Sequence, residues 1–199
     1  MNLPNKLTLL RIILVPFFVA SILIEELPFH YLIALVIFSV ASITDMLDGK
    51  IARKYNMVTD FGKFADPLAD KILVISAFAC FVQLDIINAV FIILVLFREF
   101  AVTSIRLVAV ENGKVVAANM WGKAKTVSQM TAVIVVLLFG FVIELCTSGV
   151  FNLSDDILSK VMEIMNIINQ VLLWISAVLT VISGVIYIKD NFEFIKNAK

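Results

Sequence analysis

The sequence predicts an all-α membrane protein: six transmembrane helices with a short N-terminal interfacial helix. Three observations lead there. Hydrophobic residues make up 61% of the 199 positions and charged residues only 16%, with a mean hydropathy of +1.03. A soluble domain carries about 25% charge and has no single core large enough to hide this much apolar surface. The apolar residues also arrive in runs that can cross a bilayer, which takes about 20 residues of helix. Finally, the runs lack the alternation of a barrel strand, so helices are the spans that satisfy their own backbone.

The runs fall at about 12–27, 30–47, 67–84, 86–110, 126–146 and 165–188. Ahead of the first, Asn2–Leu10 places Leu3, Leu7 and Leu10 at helical spacing, with Pro4 suited to a first turn. This reads as a short interfacial helix feeding the first span. That span resembles a signal-peptide core but leads directly into further spans, so it is expected to be retained. In Asn152–Asn169, Ser154 followed by Asp155 and Asp156 marks a helix start, and an outer-surface helix is expected before the last span. Cys80 and Cys146 lie in or near apolar spans and need no disulfide. His30 is expected at the interface, and Trp121 and Trp174 as anchors or packing groups. With no repeat, low-complexity tract or soluble domain, residues 1–199 read as one membrane domain.

Six spans put both termini on one side. With that side cytoplasmic, the outer connections are Glu25–Phe29, Leu84–Asp85 and roughly Thr147–Lys160. They hold Lys160 alone against Glu25, Glu26, Asp85, Asp155 and Asp156. The remaining Lys and Arg fall in inner loops, at the termini or within spans. This is the positive-inside distribution, and the opposite orientation inverts it.

The chemistry concentrates between the second and third spans. Asp45, Asp48, Gly49 and Ala52 stand at i, i+3, i+4 and i+7; Gly62, Asp66 and Asp70 stand at i, i+4 and i+8. Each set shares one helix face. Polar residues over Lys54–Asp60 let the chain turn back, so that the two acidic faces meet. One or two such aspartates could be solvated charges at helix ends. Four on matching faces repel, and each costs about 2.5–3.5 kcal/mol near hydrocarbon unless cations neutralise it. Hard oxygen ligands suit Mg²⁺ or Mn²⁺, and bridging carboxylates can hold two ions. Gly49 and Gly62 clear space for a bulky ligand, and Arg53 can pair with a phosphate.

The pattern Asp-x2-Asp-Gly-x2-Ala-Arg-x8-Gly-x3-Asp-x3-Asp over Asp45–Asp70 resembles the signature of the CDP-alcohol phosphatidyltransferases, with every fixed position matched. The resemblance implies a two-metal site of Asp45, Asp48, Asp66 and Asp70 at the cytoplasmic side of a bacterial plasma membrane. It places Asp48, Gly49, Ala52, Arg53 and Gly62 near the cytidine diphosphate of CDP-diacylglycerol, matches Asp70 to the position of a general base, and implies a homodimer.

Further cations stand where cations are expensive. Arg98 lies near the middle of the fourth span, followed at once by Glu99, with Arg106 about 12 Å further along the axis. Lys123 and Lys125 open the fifth. An acceptor carrying its own phosphate needs such a pocket. Lys123 and Lys125 also read as positive-inside anchors, and Arg98 as the structural partner of Glu99. The N-terminal Asn2–Arg11 tract, Arg98-Glu99-Phe100 with Arg106, and Gly122-Lys-Ala-Lys-Thr126 resemble the bacterial branch of the family whose acceptor is sn-glycerol 3-phosphate. That likeness implies Asn5, Thr8 and Arg11 near the nucleotide or phosphate; capping or surface polarity is the other reading of Asn5 and Thr8. Membrane lipid is an expected partner and nucleic acid is not. A divalent-cation transporter is the competing class. The acids converge at one end of a span pair, and no inverted repeat is evident, so an enzyme is expected.

Overall fold

In the computed structural model the chain is described over residues 2–55, 60–111, 120–148, 150–151 and 154–192, without the side chains of 3–4, 46–55, 60–67, 70 and 111. Six helices account for almost all of it: α1 (Leu3–Leu23), α2 (His30–Tyr55), α3 (Asp60–Gln83), α4 (Ala89–Glu111), α5 (Met120–Thr147) and α6 (Asp155–Asp190). No strand occurs among the described residues.

Three of these are long and apolar enough to cross a membrane: Asn5–Leu23, Met120–Thr147 and Asp155–Asp190. The chain is a membrane protein on that ground. In α2 and α3 the apolar stretches, His30–Asp45 and Lys71–Gln83, stop at the acidic motif. In α4 every membrane-length window includes Arg98, Glu99 and Arg106. The expected N-terminal surface helix is not a separate element. Leu3–Leu23 is one helix, begun with Pro4 in its first turn and continuous through Pro16, since nothing between Leu10 and Arg11 breaks it. Likewise Asp155–Asp190 is a single helix of 36 residues, about 54 Å long, well beyond the roughly 30 Å of hydrocarbon.

Two short turns use left-handed residues, Phe29 (φ 56°) and Asp85 (φ 55°). At the second, the Ile86 N–H donates to Phe81 O at 2.9 Å and the Asp85 N–H to Val82 O at 3.2 Å. This closes α3 with the paired bonds of a Schellman cap, and the short polar side chain of Asp tolerates the conformation.

The helices form two compact units, each taking part of α5 and α6. In the first (residues 1–86 and 133–166), α1 packs on both α2 and α3. Phe18, Ile22, Phe38, Phe78 and Phe81 are fully buried there, with Phe18 and Phe38 ring centroids 5.7 Å apart. The start of α2 meets the second half of α5. The His30 N–H donates to Glu144 Oε1 at 3.2 Å, which satisfies one of the amides left open at a helix N-terminus, and the Tyr31 ring lies over Gly140.

The second unit (residues 87–132 and 167–199) joins α4, the first turns of α5 and most of α6. The buried face of α6 is Asn169, Leu173, Ser176, Ala177, Thr180, Ser183, Gly184 and Tyr187. Small residues let helices approach closely where lipid offers no hydrophobic drive. Two of the buried hydroxyls bond within the unit: Ser176 Oγ donates to Leu173 O, Thr180 Oγ1 to Ser176 O, and Thr180 Oγ1 accepts from Gln129 Nε2 at 3.0 Å.

Candidate active site

The acidic motif occupies the facing ends of α2 and α3. Asp45, Asp48, Gly49, Ala52 and Arg53 lie in the C-terminal turns of α2; Gly62, Asp66 and Asp70 lie in the N-terminal turns of α3. Both stretches are helical, so the spacings read from the sequence are true helical registers. Residues 56–59 link the helices, and α2 and α3 are in contact. Of the motif side chains only Asp45 is described; those of Asp48, Arg53, Asp66 and Asp70 lie outside the described residues, as does Glu111.

Asp45 is held from α1. Arg11 Nη1 lies 2.7 Å from Asp45 Oδ1, with the arginine 1% exposed and the aspartate 30%. Thr8 and Asn5, about one and two turns before Arg11, are buried as well. A solvated surface stretch does not bury three successive polar side chains. The first half of α1 is therefore built into the site end of its unit, which removes surface polarity as an account of Asn5 and Thr8.

The four cations divide. Lys123 and Arg106 are exposed, whereas Lys125 is buried and Arg98 nearly so, in one cluster around Glu99. Arg98 Nη1 donates to Glu99 Oε1 at 2.9 Å and Lys125 Nζ to the same oxygen at 2.5 Å. Arg98 Nη2 donates to Ser183 Oγ on α6 at 2.7 Å. The three ionic side chains are 8–11% exposed. Two cations thus share one carboxylate oxygen in surroundings where charge is costly unless paired. The structural partnership of Arg98 with Glu99 is real, and Lys125 is more than a surface anchor.

The family model for CDP-alcohol phosphatidyltransferase matches residues 1–182. This chain belongs to that family. As a CDP-alcohol phosphatidyltransferase it resembles curated relatives over nearly its whole length. It is 41% identical to the CDP-diacylglycerol–glycerol-3-phosphate 3-phosphatidyltransferase of Bacillus subtilis (strain 168), over 99% of this chain and 98% of that one. It is 36% identical to the enzyme of the same name from Rickettsia felis, over 94% of each chain. With the Haemophilus influenzae enzyme of that name it shares 34%, over 94% of this chain and 92% of the other.

Sequence reasoning named Glu99 only as a companion of Arg98 and gave Ser183 and Gly184 no role. The available signal was the run of small and hydroxyl residues Ser176, Thr180, Ser183 and Gly184 at helical spacing inside an apolar helix. It marks a packed face without revealing which side chain lies against it.

Proposed function

We propose that this protein transfers the phosphatidyl group of CDP-diacylglycerol to sn-glycerol 3-phosphate, giving phosphatidylglycerophosphate and CMP. The observation that carries this reading is the match of the complete Asp45–Asp70 motif on two contacting helices, in a chain whose near full-length relatives bear that activity's name. The acceptor's C1 hydroxyl oxygen bonds to the lipid-bearing phosphorus, the bond to the CMP oxygen breaks, and Asp70 takes the hydroxyl proton. Asp48, Gly49, Ala52, Arg53 and Gly62, with Asn5 and Thr8 of α1, hold the CDP moiety. Arg98 and Lys125 bind the acceptor's phosphate, with Arg106 and Lys123 as outer contacts.

The donor set fits Mg²⁺ or Mn²⁺. Asp45, Asp48, Asp66 and Asp70 offer carboxylate oxygens alone, without thiol or imidazole, and the Arg11–Asp45 pair fixes one of these carboxylates as partners of metal ligands commonly do. Two bound ions would neutralise the aspartates and the pyrophosphate and favour departure of CMP.

The six helices are six spans of one domain, with termini and active site on the cytoplasmic side, as the bias of loop Lys and Arg toward that side, with Lys160 alone outside, supports. Arg98 and Glu99 offset each other's charge within α4, which lets that helix cross despite its polarity. A homodimer in a bacterial plasma membrane is the expected assembly.

The test is CMP release by purified protein in detergent micelles with CDP-diacylglycerol and a panel of acceptors. Glycerol 3-phosphate should be used and free glycerol should be very poor. Preference for serine, inositol or inositol phosphate would overturn the acceptor while leaving the family intact. Excess chelator should abolish release, and Mg²⁺ or Mn²⁺ should restore it.

A further inference from the structure

We propose that Ser183 and Gly184 of α6 are positioning residues for the acceptor: they seat Arg98 so that its guanidinium is presented to the acceptor's phosphate. The inference rests on the reading of Arg98 as a phosphate ligand given above and adds the element that holds it.

Arginine has five N–H donors and no way of discharging itself. Here Nη1 is engaged by Glu99 and Nη2 by Ser183 Oγ at 2.7 Å. Nε is buried and has no hydrogen-bond partner among the described residues. A buried charged donor without an acceptor is unfavourable, and an anion that accepts from it relieves that cost. The guanidinium is therefore held through both Nη atoms by protein while its Nε–H has no acceptor among the described residues, as preorganised anion recognition requires.

Gly184 makes the seat possible. A Cβ placed there would stand 2.9 Å from Arg98 Cγ and 3.7 Å from Arg98 Cβ. The obstructed atoms belong to the root of the arginine stem, so any larger residue displaces the whole side chain rather than a flexible tip. Glycine inside a helix is otherwise unfavourable. Its place beside Ser183, on the buried face of α6, gives it a reason: the backbone recedes at 184 and the hydroxyl at 183 receives the guanidinium.

The experiment is steady-state kinetics in mixed micelles, with the KM for glycerol 3-phosphate and for CDP-diacylglycerol measured separately. Ser183→Ala and Gly184→Ala should each raise the glycerol 3-phosphate KM by ~10-fold, the loss of about one charge-assisted hydrogen bond, with the CDP-diacylglycerol KM unchanged. Ser183→Thr, which keeps the hydroxyl, should retain the low KM. Arg98→Ala should raise the same KM further, and Ser183→Ala should add nothing in that background. A purely structural role would lower the active fraction, reducing the maximal rate without a selective change in one KM. If Gly184→Ala does not fold, Ser183→Ala and Ser183→Thr decide. An unchanged glycerol 3-phosphate KM in Ser183→Ala, or an equal rise in both KM values, overturns the inference while an effect of Arg98→Ala preserves the acceptor site. No effect of Arg98→Ala overturns both.

Discussion

Arg11 of α1 donates to Asp45 of α2 across 2.7 Å, and the arginine is almost wholly buried in doing so. The pair joins the N-terminal helix to the first carboxylate of the acidic motif. It gives α1 a role that membrane anchoring alone would not require. Anchoring needs apolar surface, which α1 also has; it does not need a buried guanidinium.

Arg11→Met should raise the Mg²⁺ concentration for half-maximal activity by about 10-fold or more, the usual range when a partner of a metal ligand is lost. Arg11→Lys keeps the charge with a less rigid donor and should fall between wild type and Arg11→Met. The measurement is a Mg²⁺ titration at saturating substrates, with Mn²⁺-induced thermal stabilisation as a second readout. An unchanged midpoint in Arg11→Met would mean that Asp45 is oriented by other groups.

Glu99 is the counter-ion of two buried cations, so its charge should matter more than its shape. Glu99→Gln removes the carboxylate that Arg98 and Lys125 share, and breaking a buried pair from one side costs about 3–5 kcal/mol. A clear fall in the detergent unfolding temperature is expected. Adding Lys125→Met should recover part of it, because removing both partners is less costly than removing one. If Glu99→Gln unfolds at the wild-type temperature, the ion cluster contributes nothing to stability.

The acidic motif was readable because it is local. Asp45 to Asp70 lie on two helices joined by four residues, so helical periodicity alone sets which of these positions share a helix face. Long apolar runs also placed all six helices. The joins were less legible. Asn2–Leu10 and the first span form one helix, and residues 155–190 form another, because amphipathic and fully apolar stretches can follow each other without a breaker. Least legible was the meeting of Arg98, Lys125 and Ser183. These residues belong to three helices, and only tertiary packing decides which cation shares Glu99 and which stays exposed. The same packing separates Lys125 from Lys123, two residues away and indistinguishable by pattern.

Gly140 offers a test of packing away from the chemistry. A methyl group there would run into the Tyr31 ring. Gly140→Ala should therefore destabilise by about 1–3 kcal/mol, as overpacking does, even though alanine is the better helix former. Gly140→Ala with Tyr31→Leu should regain stability, since the smaller side chain leaves room for the methyl. Thermal unfolding of the single and double variants decides. Stabilisation by Gly140→Ala alone would show that the ring moves aside freely.

The orientation rests on the distribution of charge, and cysteine labelling tests it directly. Cys80 and Cys146, the two native cysteines, are replaced by serine to give a silent background. Glu26, exposed in the turn between α1 and α2, and Met120, exposed at the start of α5, then take single cysteines in turn. A membrane-impermeant thiol reagent added to intact cells should modify the cysteine at 26 and spare the one at 120; permeabilised cells should show both modified. The reasoning is that the connection holding Glu25 and Glu26 carries no Lys or Arg, whereas Lys123 and Lys125 follow Met120 within two turns, and Lys and Arg are retained on the cytoplasmic side. The prediction also bears on chemistry. Both Met120 and the acidic ends of α2 and α3 fall on the side assigned to the cytoplasm, where glycerol 3-phosphate is soluble. Labelling at 120 but not at 26 in intact cells would place the aspartates on the outer face, away from that acceptor, and the proposed reaction would lose its substrate.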